Sequence, residues 1–77
     1  MPVTITLAED DAERAVHLAA MIVLADEALT ASTGAALEAD GATERTAQVA
    51  EAARHQRERD ACARELGTLI APHLAAA

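Results

Sequence analysis

The residues able to do chemistry in this 77-residue chain are three histidines, one cysteine and thirteen carboxylates, and their spacing limits what they can do. Glu13 and His17 are four apart, as are Glu51 and His55, so two adjacent helices could offer a two-Glu, two-His set to a metal ion. Their faces diverge, however. His17 shares the solvated side of its helix with Glu13, whereas His55 falls on an inward stripe, and the Glu-x-x-His spacing of di-iron bundles is missing. His55 and Cys62 are the only pairing that would give an activated thiolate. They are seven residues apart, about 10 Å along one helix, which is beyond proton-transfer reach. The run Glu9, Asp10 and Asp11 reads as charge favoured at a helix start.

Glycine-rich phosphate loops, zinc spacings and hydrolase elbows are missing from the sequence, and without Trp, Tyr or Phe nothing can stack a base or a sugar. The expectation is therefore a non-enzymatic chain with no catalytic, cofactor or metal residue, in which Cys62 is a small buried apolar side chain.

The elements that carry these residues are built from a narrow alphabet. Twenty-two residues are alanine, and the larger apolar side chains are eight Leu, four Val, three Ile and two Met, enough for one modest core. Burying each large aliphatic side chain contributes roughly 1.5 to 3 kcal/mol, while ordering each residue costs about 1 to 2 kcal/mol. A lone chain of this size is therefore marginal, and association is expected.

Val3, Ile5 and Leu7 alternate with Thr4 and Thr6, the period of an extended segment, so residues 1–6 read as a short arm. Thr6 and Glu9 have the spacing of a capping box that opens helix 1, read as 7–31. Residues 32–42 read as the connection, because glycine, serine and threonine cluster around Gly34 and Gly41, with Leu37 tucked inward. Helix 2 then occupies 43–71, capped by Thr43 or Asp40 and stopped by Pro72, and 72–77 is a tail. The fold class is all-α: an antiparallel helical hairpin with an extended arm, dimerising into a four-helix bundle.

On a wheel, Leu7, Ala15, Leu18, Ile22, Ala25 and Leu29 share one face of helix 1. In helix 2 the stripe is Gln48, Ala52, His55, Arg59, Cys62, Leu66, Leu69 and His73. Two registers are open. A turn near residue 37 sets the bulky Leu18–Leu29 segment against small residues at 47–53, whereas extending helix 1 to Gly41 sets it against His55 and Arg59. Packing large against small favours the first, which also brings Asp11 and Arg59 within reach of a register-setting salt bridge.

Helix 1 keeps apolar residues over most of its circumference, more than one neighbouring helix can cover. Val16, Ile22, Val23, Leu24 and Leu29 are the expected association residues, with Glu9, Glu13 and Glu27 as an acidic rim that could steer a basic partner.

An alternating N-terminal segment followed by two helices resembles, over about the first 18 residues, the ribbon-helix-helix regulators that include many small antitoxins. The resemblance implies DNA binding by the arm, with Thr4 and Thr6 in the major groove. Composition points elsewhere. The arm carries no Arg or Lys, and the net charge of −7 repels phosphate.

The longest uninterrupted apolar run, Leu18 to Ala25, is eight residues, short of the roughly 20 needed for a membrane span, so a cytoplasmic protein is expected. Abundant alanine, six arginines and no lysine suggest a GC-rich bacterial or phage genome. The functional expectation is an acidic accessory protein that forms a homodimer and binds or inhibits a host protein, the alternative being the DNA-binding regulator.

Overall fold

Residues Thr4–Ala8 lead into two helices, α1 (Glu9–Glu38) and α2 (Ala42–Ala75), joined by Ala39, Asp40 and Gly41. This computed structural model describes residues 4–75, among which there is no strand. Val3 of the expected arm and the last two alanines of the expected tail lie outside the described residues. Within the arm, Ile5 and Leu7 are half-buried and Thr4 and Thr6 exposed, following the alternation of the sequence.

The helical hairpin is as expected, and its boundaries are not. Helix α1 starts at Glu9 rather than at residue 7, with Ala8 as its N-cap and no side-chain capping bond, so the Thr6 and Glu9 box does not form. The Ala12 N–H bonds to the Ala8 carbonyl at 2.8 Å, and Glu9, Asp10 and Asp11 place negative charge in the first turn, where the helix dipole favours it.

At its other end α1 runs through 32–38, read from sequence as connection. A lone glycine in an alanine-rich helix costs only about 1 kcal/mol, and the Thr30 hydroxyl donates to the Asp26 carbonyl one turn back instead of competing for the ladder. Leu37 is therefore helical and 82% exposed rather than tucked inward.

The chain turns only at Ala39, whose ψ of 133° is extended and whose N–H bonds the Ala36 carbonyl at 3.4 Å. The Arg45 guanidinium donates to the Ala39 carbonyl at 2.9 Å, and its N–H to the Gly41 carbonyl at 3.0 Å, closing the turn. Helix α2 starts at Ala42, so neither Asp40 nor Thr43 serves as its cap, and it continues through Pro72. Proline removes one N–H, the one that would bond the Thr68 carbonyl. Thr68 and Pro72 are both exposed, so water can reach that group, and one turn from the end the helix survives its loss.

Every position of one three-and-four spaced series in α1 is buried or half-buried: Asp11, Ala15, Leu18, Ile22, Ala25, Leu29, Ser32 and Ala36. In α2 the whole expected stripe from Gln48 to His73 is half-buried. These two series form the seam of an antiparallel coiled-coil-like pair. Among the described residues Leu18 alone is sealed, at 1% exposure.

The ion pairs set the register. Arg14 reaches Glu65 through Nε at 3.0 Å and also through Nη2, and Arg59 Nη1 reaches Asp26 at 2.9 Å. Leu18 thus lies level with Cys62 and Leu29 with the Ala52–His55 turn, which overturns the expected register and the Asp11–Arg59 bridge. The polar groups that argued against this register are not trapped in it. Arg59 lays its stem in the seam and sends its guanidinium out to Asp26 and Asp60, and His55 turns toward Glu51 and Glu58 at 3.6 and 3.7 Å.

Candidate functional site

The seam divides the hairpin surface into two broad faces. In an antiparallel pair of right-handed helices, the residues that follow each seam position lie on the same side of both helices, and those that precede it lie on the other. The ion pairs agree with this division. Arg14 and Glu65 both precede seam positions and meet on one face, whereas Asp26, which follows one, meets Arg59 on the opposite face.

The first of these is a charged face. Asp10, Arg14 and His17 come from α1, and Glu51, Arg54, Glu58 and Glu65 from α2, with Met21 and Leu24 between them. Arg54 sits 2.6 Å from Glu51 and 3.9 Å from Glu58, and the hydrogen bond it donates to Glu51 pushes its pKa up.

The second is a valine face, and it is nearly free of charge. Helix α1 contributes Ala12, Val16, Ala19, Val23, Thr30, Thr33 and Leu37. Helix α2 contributes Val49, Ala53, Gln56, Ala63, Gly67, Ile70 and Leu74. Five of the seven large exposed apolar residues of the described chain belong to it: Val16 at 70% exposure, Val23, Leu37, Val49 and Leu74. Near its middle lies one polar group, the Asp26, Arg59 and Asp60 cluster. The hydrogen bond that Arg59 donates to Asp26, then the one it donates to Asp60, pushes the Arg59 pKa up, so the guanidinium keeps its charge.

The expected association residues therefore separate. Val16 and Val23 are on the valine face, Leu24 is on the charged face, and Ile22 and Leu29 are seam residues, half-buried against α2. Leu37, Val49 and Leu74 were missed, although the seven-residue spacing of Val16, Val23, Thr30 and Leu37 was visible in the sequence. Glu9, Glu13 and Glu27 are all exposed, Glu13 and Glu27 on the outermost edge of α1 and Glu9 at the head of the column of Val16, Val23, Thr30 and Leu37.

Among the described residues no His, Cys, Asp and Glu group is placed to hold a metal ion. Glu13 is exposed on the outer edge of α1, and His17 lies on the charged face about level with Ala63, more than two helical turns along the hairpin from Glu51 and His55. Cys62 is a free thiol, half-buried in the seam. An open concavity runs along Glu9, Ala12, Glu13, Val16 and His17, walled among the described residues by one helix, which cannot enclose a small substrate. Helix α1 is long and apolar enough to cross a membrane by length and composition, a property that the uninterrupted run of eight residues understates because isolated polar residues do not end such a stretch.

Compared with known proteins, the chain matches no family model, no curated protein and no solved structure.

Proposed function

We propose that the chain is a non-enzymatic protein–protein interaction module whose valine face docks against helices of another chain, closing a four-helix bundle. The observation that carries this reading is the placement of Val16, Val23, Leu37, Val49 and Leu74 on one side of a two-helix layer, where the Asp26, Arg59 and Asp60 cluster is the one ionic group among them. A patch of that kind, presented on two rigid helices at coiled-coil spacing, suits helix-on-helix recognition.

Of the acidic rim, Glu13 and Glu27 stay outside such a contact and Glu9 borders it, free to steer a basic protein partner as an accessory or inhibitory chain would require. A cytoplasmic location belongs to the same reading.

The test uses two adjacent residues. Immobilised chain is offered a GC-rich bacterial lysate supplemented with untagged copies of itself. Val23→Glu should abolish recovery of whatever binds, while Leu24→Glu, on the charged face, should retain it. Equal recovery by both variants would sink the proposal.

The length and apolarity of α1 favour a second reading, in which a lipid bilayer is the partner. Co-flotation of the chain with neutral vesicles would favour it, and sedimentation away from them would remove it.

A further inference from the structure

Resting on that reading of the valine face, we infer that its occupant is a second copy of the chain, related by a two-fold axis parallel to the helices. Helix α1 of each copy then covers α2 of the other, and both turns lie at the same end of the bundle.

Surface area is the first support. The chain exposes 5619 Å², against roughly 4,500 Å² for a folded monomer of its mass. Its shape, 52 × 26 × 15 Å, is a layer one helix thick, and a face of that length and width exceeds the ~800 Å² that each side of a standard stable interface buries.

Charge selects the arrangement. Asp26 and Arg59 are level with each other, as their ion pair requires. With the axis parallel to the helices, levels are preserved between copies, so Asp26 of each copy lies over Arg59 of the other, and the two Asp60 carboxylates flank these pairs. The opposite arrangement, with turns at opposite ends and α1 over α1, centres near the middle of the 30-residue helix α1. It brings Asp26 toward Asp26 and Arg59 toward Arg59. Like charges across a desolvating interface are costly.

Size is compatible with the same arrangement. By the register of the ion pairs, Val16 comes over small Ala63 and Gly67 of the second copy, and Val23 comes beside Gln56 and Asp60. A large residue thus meets small ones at Val16.

The test measures both mass and direction. The full chain carrying Asp40→Cys in a Cys62→Ala background, spin-labelled at the exposed turn, should have the mass of a dimer and a short label separation, below ~30 Å with turns side by side at bundle spacings. A dimer with labels separated by about the 52 Å length of the hairpin overturns the arrangement, as does a mass above the dimer. A monomer overturns the inference and leaves the face to another protein or to lipid. Because that outcome leaves the Val23→Glu and Leu24→Glu contrast intact, it is distinguishable from failure of the interaction reading.

A second measurement does not depend on labelling. The charge-swapped chain, Asp26→Arg with Arg59→Asp, should self-associate yet form mixed dimers with the native chain well below the statistical share. Mixed dimers above that share would mean that α1 lies over α1, overturning the proposal.

Discussion

Val23 and Leu24, adjacent in sequence and similarly exposed, lie on opposite broad faces of the hairpin. Helix geometry separates the two side chains by about 100°, and the α1 seam between Ile22 and Ala25 falls so that Val23 follows a buried position and Leu24 precedes one. A carboxylate at Val23 is expected to weaken association at least tenfold by light scattering after size exclusion. Detection by refractive index suits a chain without Trp or Tyr. Leu24→Glu should leave the mass unchanged.

The seam makes its own prediction. Leu18 is the single sealed side chain, and Leu18→Ala should cost about 3 kcal/mol. Urea denaturation followed by far-UV circular dichroism reads this directly, and a loss under about 1 kcal/mol would mean that the helices do not pack along this register.

Gly34 lies in the interior of α1, and nothing stands within 4 Å of where a methyl group would be. Gly34→Ala should therefore stabilise the chain by about 0.8 kcal/mol, seen as a higher urea midpoint at unchanged slope. If residues 32–42 were a loop, the same substitution would bring no such gain.

Arg14 and Glu65 meet in a half-exposed pair, with side-chain exposures of 48% and 52%. Its role is to report register more than to stabilise, so Arg14→Ala should cost less than about 0.5 kcal/mol. A larger loss in thermal melts would show that the charged face is more enclosed than its exposure indicates.

Arg59 bears on pH dependence. Its pKa is raised in the folded chain by Asp26 and Asp60, so its contribution is fully present below the unfolded value and fades only as pH rises through the higher folded one. Both lie far into the alkaline range, so between pH 7 and 9 loss of charge on Arg59 should produce no change in association. A marked fall in dimer mass over that window would assign the contact to a different group.

How far the fold could be read in advance differs from element to element. Both seam stripes were legible, because a three-and-four spacing of apolar residues survives the replacement of single members by Gln48, His55 or Arg59. The turn was not legible. Thr30, Ser32, Thr33 and Gly34 are ordinary loop residues, and only the tertiary pairing with α2 makes their helical state favourable; Pro72 is the same case at the other end. The register was misread because Arg59 and His55 were treated as whole polar residues facing an apolar wall. Their stems in fact occupy the seam while their charged or polar ends reach carboxylates outside it. Leu37 was missed because residues 32–42 were read as the connection, and Val49 and Leu74 because the surplus apolar surface was sought on helix 1 alone, although both directly follow stripe positions.

The near absence of a sealed interior links folding to abundance. With Leu18 alone fully enclosed, the isolated hairpin has little to hold its backbone closed, and mass action makes its folded fraction depend on how much of whatever covers its open side is present. With a second copy as the cover, chains present at low concentration would open, and open chains are what proteases cut. Such a chain would be cleared when scarce and persist when abundant, with no separate sensor.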